Sequence, residues 1–254
     1  MDRKVFIINC VLAIAFIAGC GWIPKAQYKK QVNLTVPAGQ GQNFAAETHN
    51  GNITIKGSKT ADCNLTAAIT VKADTEENAK KIAEQVKVNL ASEANNINVR
   101  IEKPEIPKDV QINVSLDAIL PAGMNLSLET HNGEISSSGT IGQIEASSHN
   151  GNITATGALA DLKFETHNGN VTVNCTEQSS KPCNISIETH NGDIGFTPPE
   201  NFSAAVDGST HNGSIHTNLP LTITGENHNI INGVVGGGRD KLHLKTHNGS
   251  IKIK

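Results

Sequence analysis

Apolar and polar residues alternate along much of the chain. A representative segment runs Leu126-Ser-Leu128-Glu-Thr130-His-Asn-Gly-Glu-Ile135. Since successive side chains of a strand point to opposite faces, this period of two predicts half-buried β-strands. Thr130 and Ile135 are directed inward, and the glutamate and histidine positions outward. The same alternation occurs in the N-terminal half of the chain, over residues 64–71, 96–101 and 110–116.

One segment follows a helical period instead. Its apolar residues, spaced i, i+3, i+4, i+7 and i+11, are Ala79, Ile82, Ala83, Val86 and Leu90. Asp74 followed by Glu77 resembles a capping box, so the sequence predicts one amphipathic helix over about residues 75–90. A repeat array needs its open end covered. We therefore expect residues 31–120 to form an N-terminal β region in which this small β/α insertion acts as a cap.

A repeated tetrapeptide, Thr-His-Asn-Gly, organises the chain, with Ser in place of Thr at one copy. From residue 130 the copies begin 18, 18, 23, 21 and 36 residues apart, and 36 is two periods of 18. A degenerate copy, His228-Asn229 with Asn232-Gly233, lies inside the long interval and predicts an additional coil there. The histidine, asparagine and glycine positions of the repeat are His49, Asn50, Gly51, His131, Asn132, Gly133, His149, Asn150, Gly151, His167, Asn168, Gly169, His190, Asn191, Gly192, His211, Asn212, Gly213, His247, Asn248 and Gly249.

Two architectures accommodate these strands. Asn-Gly between alternating segments is typical of a two-residue β-hairpin, which would give an antiparallel meander. In a β-solenoid, each period of about 18 residues is one coil, and equivalent side chains stack about 4.8 Å apart. Near-identical turns favour the solenoid, because stacking rewards sameness through asparagine ladders and repeated threonine packing. We therefore predict an all-β fold with a parallel β-helix-like solenoid over residues 121–254, in which Asn-Gly supplies the positive φ of tight turns.

The first twenty residues have the features of an export signal. Arg3 and Lys4 precede an apolar stretch, residues 5–18, that is too short to span a membrane and leads into Ile-Ala-Gly-Cys20. This ending resembles the bacterial lipobox, which implies removal of residues 1–19 and acylation of Cys20 by fatty acids such as palmitate. Residues 20–30 then form the lipidated cysteine and a short tether. We expect an extracytoplasmic protein, with the cell membrane or outer membrane as its partner through this anchor.

Composition and charge restrict the class of partner, the type of core and the roles of the cysteines. The formal net charge of -3 argues against a nucleic-acid partner, and an aromatic content of 3% predicts a core of aliphatic side chains and threonine. In an oxidising compartment Cys175 and Cys183, which flank the polar loop Thr-Glu-Gln-Ser-Ser-Lys-Pro, are the candidate disulfide. Cys63 is then left as a small buried residue.

The combination of these features resembles the bacterial putative-adhesin family. The features in this chain are a lipobox, a first Asn-Gly-x-Ile strand pair, a helix-bearing insertion, and Leu120-Pro-Ala-Gly-Met-Asn-Leu126 leading into repeats of Asn-Gly-x-Ile. The resemblance covers roughly residues 30–254. It implies a surface-exposed β-solenoid of unknown function and carries no catalytic residues over. A histidine in every turn departs from the family pattern, which asks only for Asn-Gly.

The column of histidines has two interpretations. Neutral imidazoles are good ligands for zinc, copper or nickel, with His131, His149 and His167 as candidates, although a straight ladder offers two nitrogens at a time and a closed site uses three or four. Alternatively, the rings are structural and stack over the turns. Because stacked imidazolium charges repel each other, we then expect lowered histidine pKa values and lower stability near pH 5 than near pH 7.5.

The sequence contains no Gly-x-Ser-x-Gly elbow, P-loop or His-Glu-x-x-His motif. Parallel β-helices with clustered carboxylates can cleave glycans, so Glu129, Glu145, Glu165 and Glu188 keep a glycan-active enzyme as an alternative. We predict a non-enzymatic scaffold or adhesin-like surface without a cofactor, whose partner is an envelope protein or a glycan. A divalent-metal-binding surface protein is the first alternative.

Overall fold

The computed structural model describes residues 26–158 and 160–254. The predicted signal peptide and Cys20 lie outside these residues. Every described element except one helix is a strand, which confirms the all-β class. The elements are β1 (Ala26–Pro37), β2 (Asn43–Asn50), β3 (Ile53–Ser58), β4 (Asp62–Ala73), α1 (Glu76–Gln85), β5 (Lys87–Glu93), β6 (Asn96–Glu102), β7 (Gln111–Pro121), β8 (Asn125–Asn132), β9 (Ile135–Thr140), β10 (Ile144–Asn150), β11 (Ile153–Ala158), β12 (Leu162–Asn168), β13 (Val171–Glu177), β14 (Asn184–Asn191), β15 (Ile194–Thr197), β16 (Ala204–Asn212), β17 (Ile215–Thr217), β18 (Thr222–Asn227), β19 (Ile230–Val235), β20 (Asp240–Asn248) and β21 (Ile251–Ile253).

These strands form two sheets that share one hydrophobic core. Sheet I has the order β1-β4-β7-β3-β9-β11-β13-β15-β21-β17, and sheet II the order β18-β19-β16-β20-β14-β12-β10-β8-β2-β6-β5. Each repeat contributes one strand to sheet II and then, after its tetrapeptide, one strand to sheet I. We call such a strand pair a level. The levels stack in the order β2/β3, β8/β9, β10/β11, β12/β13, β14/β15, β20/β21 and β16/β17.

Neighbouring levels pair in parallel and in register. Ile144 of β10 pairs with Leu126 of β8 on one side and with Leu162 of β12 on the other, an offset of 18 residues in each direction. This pairing excludes the meander, whose neighbouring strands are antiparallel. The inward positions are mostly aliphatic, with a few aromatic rings such as the fully buried Phe44 and Phe164, and they include the threonine or serine that begins each tetrapeptide. The architecture is therefore β-solenoid-like.

The stacking order departs from the chain order at the C-terminal end. β20 lies between β14 and β16, and β21 lies between β15 and β17, so the last strand pair of the chain is second from the end of the stack. β18 and β19 form an antiparallel hairpin that extends sheet II beyond β16. The additional coil predicted around residues 228–233 is therefore wrong. A hairpin covers the outer edge of β16 there, and the chain then returns to pair with β14.

The opposite end of the stack is closed by long antiparallel strands and by the helix. β4 pairs with β1 on one side and with β7 on the other, and α1 packs against β1 and β4 through the buried Ala79 and Ala83. Lys30 on β1 donates from Nζ to the carbonyl of Val86 at 3.4 Å. Strand pairing begins at Ala26, so the last five residues of the predicted tether are part of β1, because they pair with residues 69–73 of β4.

The helix is shorter than its apolar pattern predicts. Thr75, not Asp74, is the N-cap residue, and its hydroxyl accepts a hydrogen bond from the amide of Asn78 at 3.2 Å. The helix ends at Gln85, since Leu90 already belongs to β5, where it pairs with β6. Within residues 26–158 and 160–254, no helix has the length and apolar character needed to cross a membrane.

The cysteines of the described residues are free thiols, so the predicted disulfide is not formed in this structure. The amide of Cys183 donates to the fully buried carboxylate of Asp240 at 2.9 Å, and its thiol lies 3.4 Å from the carbonyl of Lys181. Cys183 nevertheless lies close enough to Cys175 to affect its pKa, so the pairing of these two cysteines stays a prediction. Burial, and then the nearby Cys183, raise the pKa of Cys175 to about 12. Burial alone raises the pKa of Cys63 to about 12.

Candidate functional site

The candidate site is the edge of the stack where each level turns from sheet II into sheet I. The seven tetrapeptides form these turns, which we call the motif corners. They lie directly above one another, because the levels are in register. Each residue of the tetrapeptide therefore meets its own counterpart in the next level.

The first residue of each corner is buried and bonds to the level beside it. The hydroxyl of Thr130 donates to the carbonyl of Gly51 at 3.0 Å, and that of Thr166 to Gly151 at 3.0 Å. The same bond recurs from Ser148, Thr189, Thr210 and Thr246, and Thr48 makes it to Val114 at the end level. A hydrogen bond of this kind contributes on the order of 1 kcal/mol, and leaving the buried hydroxyl unpaired costs more. Only threonine or serine can make it here.

The glycine of each corner is required by close approach of the neighbouring backbone. A Cβ atom on Gly151 would lie 1.8 Å from the carbonyl oxygen of Gly133, and one on Gly169 would lie 2.1 Å from that of Gly151. Among the corner glycines only Gly51 and Gly249 have the positive φ that the sequence predicts for all of them. The sequence predicted that glycine is needed at the corners because of a positive φ. The structure shows that it is needed because a stacked corner leaves no room for a side chain.

The asparagine side chains form a continuous amide ladder. Six of the seven Nδ2 groups donate to the Oδ1 atom of the neighbouring level at 2.7 to 2.8 Å, as Asn150 does to Asn132, and Asn50 accepts at the end of the ladder. The glycine amides add backbone bonds to the asparagine carbonyls on the other side, at 2.9 to 3.0 Å. The polar groups of the asparagines are thus used within the ladder.

The histidine rings stack along the outside of the same edge. Ring centroids of neighbouring levels are 4.7 to 4.9 Å apart, in the order His49, His131, His149, His167, His190, His247 and His211. The column is continuous, and the interruption that the degenerate copy predicted does not occur. All seven side chains are exposed. Their ring nitrogens have no hydrogen-bond partner among the described residues.

Stacking affects the protonation of the column. The pKa of His247 is lowered, first by partial desolvation and then by the charges of His211 and His190 on either side. An imidazole between two others is harder to protonate, because each neighbouring positive charge opposes the next.

A second column runs beside the histidines, two residues earlier on the same strands. We call it the flanking column; it consists of Glu47, Glu129, Ser147, Glu165, Glu188, Lys245 and Ser209. A groove of about 660 Å³ lies between the two columns, and a further groove of about 620 Å³ continues it past His247 towards His228. The site is thus a shallow trough with imidazoles on one wall and mostly carboxylates on the other.

Several charged contacts cross the outer face of sheet II next to this trough. Lys163 Nζ lies 2.9 Å from Glu145 and 3.3 Å from Glu165, and these hydrogen bonds raise the pKa of Lys163. His243 lies 2.9 Å from Asp207 and 3.9 Å from Glu188. Sequence reasoning missed Lys163, His243 and Asp207. Their position four residues before a motif histidine would have placed them on this face once the register was known.

In the observed rotamers, no three histidine, cysteine, aspartate or glutamate side chains of the described residues converge as metal ligands. The predicted metal candidates His131, His149 and His167 lie in the stack as neighbours, with their rings face to face.

A family model described as Toastrack DUF4097 matches residues 13–254. The chain belongs to the Toastrack DUF4097 family. This match confirms the resemblance derived from the repeats. Comparison with curated proteins gives no match in sequence.

Two solved structures are similar to this chain over most of its length. A putative cell adhesion protein from Clostridium sporogenes is 13% identical with a TM-score of 0.56, over 89% of this chain and 99% of that one. A putative adhesin from Bacteroides fragilis is 14% identical with a TM-score of 0.46, over 89% of this chain and 97% of that one. At these identities the first of the two shows the shared fold.

The glycine contact generates a stability prediction. Gly151→Ala should lower the free energy of unfolding by about 2 kcal/mol or more, because the new Cβ would lie 1.8 Å from the backbone oxygen of Gly133 and the level must move. Gly195→Ala is the matched control, since a Cβ on this strand residue would meet only Thr172 at 3.9 Å or more. Chemical denaturation should show Gly195→Ala unchanged or slightly more stable. Equal losses in the two variants would contradict the stacked corner.

The histidine column generates a pH prediction. A histidine whose folded pKa lies below its usual 6.5, as for His247, binds fewer protons when folded than when unfolded. Its stabilising effect is therefore complete above that pH and is lost as the pH falls below it. We expect the denaturation midpoint to be lower at pH 5 than at pH 7.5, and His211→Gln to reduce the difference, because it removes one of the two neighbouring charges that lower the pKa of His247. A His247 pKa at or above 6.5 by NMR would contradict this explanation.

Proposed function

We propose that the protein is an extracytoplasmic, lipid-anchored envelope protein that acts as a non-enzymatic binding scaffold. In this proposal the trough beside the motif histidines contacts an envelope protein or a glycan. The observation that carries the proposal is the contrast within the motif: threonine, asparagine and glycine form contacts between levels, while the exposed imidazole nitrogens make no hydrogen bond to the described part of the chain.

The shape of the site supports a binding role. The in-register levels give a straight and repetitive edge, whose imidazole nitrogens and carboxylate oxygens can exchange hydrogen bonds with a partner along its length. Glycan hydroxyls and protein backbone groups both match such donors and acceptors. The protein from Clostridium sporogenes that shares the fold carries the name of a cell adhesion protein, which agrees with a surface of this kind.

The glycan-cleaving alternative is less well supported by the trough. Glu165 and Glu188 occupy neighbouring levels and both line it, but their side chains are 52% and 44% exposed. A general acid and a general base require environments that separate their pKa values, which usually means burial of one carboxyl group. Two similar, half-exposed carboxylates in an open trough do not provide this difference.

The position of β1 supports the proposed anchor. Strand β1 begins at Ala26, six residues after Cys20. An extended segment of that length reaches roughly 20 Å, so a lipid on Cys20 would hold the capped end of the stack close to the bilayer. The levels and their trough would then remain accessible on the exposed part of the molecule.

Site-specific cross-linking in intact cells tests this proposal. A photoreactive amino acid replaces Ser147, in the trough, or Thr154, on the opposite sheet of the same level. We expect a discrete adduct with an envelope protein or glycan from the Ser147 position, little from Thr154, and loss of the adduct when Cys20→Ser removes the anchor. Equal labelling from both positions, or none from the anchored protein at Ser147, would overturn the proposal.

A further inference from the structure

We infer that pairs of neighbouring motif histidines bind divalent transition-metal ions, with the tightest sites at His49/His131 and His167/His190. Zinc, copper and nickel are the ions that suit this chemistry. The inference does not depend on the proposed envelope partner, since it concerns only the exposed side chains of the column.

The first step is the availability of the donor atoms. Neutral imidazole is the commonest protein ligand for these ions, and it must present an unprotonated nitrogen. The motif histidines satisfy this requirement because their ring nitrogens are exposed and make no hydrogen bond to the described residues. The asparagine amides beside them are excluded as competitors, since each is bonded to its neighbour at 2.7 to 2.8 Å.

The second step is the spacing of the rings. The centroids of His49 and His131 are 4.7 Å apart, and those of His167 and His190 are 4.8 Å apart. Two nitrogens that bind one tetrahedral zinc ion at about 2.0–2.1 Å are about 3.4 Å from each other. Both side chains are exposed, so rotation about χ1 and χ2 is the movement by which the proposed site would close that difference.

The third step is the flanking column, which differs from level to level. His49 and His131 are flanked by Glu47 and Glu129, so this pair has two carboxylates within one patch. His167 and His190 are flanked in the same way by Glu165 and Glu188. Two imidazole nitrogens and two carboxylate groups are ligand types that zinc accepts, and the side chains must leave their observed rotamers to meet at one ion, because in those rotamers no three such ligands of the described residues converge.

The remaining histidines lack this arrangement. His149 is preceded by Ser147, and His247 is preceded by Lys245, so neither residue has a carboxylate two positions before it. His211 is preceded by Ser209. The two carboxylate-flanked pairs do not overlap in the stack, so both can hold an ion at the same time, with His149 left between them.

Existing contacts of these glutamates leave oxygen atoms free. Glu165 is 3.3 Å from Lys163 and Glu188 is 3.9 Å from His243, each through a single carboxylate oxygen. A carboxylate accepts at both oxygens, so the second oxygen remains for a metal ion. Glu47 interacts with the charge of Lys103, a lysine whose pKa is lowered mainly by partial burial.

Calorimetric titration of the detergent-solubilised full-length protein with zinc chloride at pH 7.5 tests the inference. We expect at least two tight equivalents. His131→Gln should remove one of them, because His49 has no other motif neighbour. His149→Gln is the matched control: it interrupts the same column at the next level but leaves both carboxylate-flanked pairs intact. Glu129→Gln should weaken one equivalent by about tenfold while keeping the number of sites.

The result that would overturn the inference is equally specific. Fewer than two tight equivalents in the unmodified protein, or equal losses in His131→Gln and His149→Gln, would exclude the paired sites. Circular dichroism of both variants separates a loss of ligands from a loss of fold. Cross-linking at Ser147 in metal-depleted cells is a separate readout, so failure of metal binding and failure of the binding-scaffold proposal are distinguishable.

Discussion

The close approach of the backbone at successive motif corners is the constraint on which the rest of the structure depends. Parallel strands in register bring each corner directly over the next, and a Cβ atom on its glycine would lie about 2 Å from the neighbouring carbonyl oxygen. Glycine is therefore imposed at every level. The same short distance lets a buried threonine hydroxyl bond to that carbonyl, as Thr130 does to Gly51 at 3.0 Å. Repetition of the sequence is the direct result of stacking identical backbones.

Stacking also determines which polar side-chain groups of the motif are exposed to solvent. The threonine and asparagine side chains use their polar groups between levels, so they contribute to cohesion and present little to a partner. The histidines add planar surface to the stack but keep their nitrogens on the outside, opposite a column that is rich in glutamate. The functional proposals therefore concern this one trough. The same stacking places His247 between His190 and His211, and partial desolvation followed by the charges of these two neighbours lowers its pKa.

The parts of the fold that follow from local pattern could be predicted from the sequence. Alternation identified the strands, and the near-identity of the corners favoured parallel stacking over hairpins. The order of the levels could not be predicted, because the edge of β14 accepts any in-register strand with the same corner, and β20 occupies it although β16 comes first in the chain. The role of residues 230–235 was missed for a similar reason, since alternation does not distinguish a parallel coil from an antiparallel hairpin strand.

At the candidate site, the sequence identified the residues but not all of their roles. Gly151 was assigned to a positive φ, and the structure shows that crowding by Gly133 requires it instead. Cys175 and Cys183 were paired on their separation along the chain, and they do lie near each other. The bond from the amide of Cys183 to Asp240 could not be predicted, because only the inserted strand β20 brings Asp240 there. Residues such as Lys163 and Lys245 could be placed beside the histidines only once the register was known.

Engineered disulfides between levels test the central claim most directly. His190 and His247 are neighbours in the stack, although 57 residues separate them, whereas His190 and His211 follow each other among the repeats but have the level of His247 between them. With neighbouring strands at about 4.8 Å, cysteines in adjacent levels are within the range of a disulfide and those two levels apart are not. Mild oxidation should therefore cross-link His190→Cys/His247→Cys and leave His190→Cys/His211→Cys reduced. The opposite result would contradict the stacking order and the continuous column of like residues.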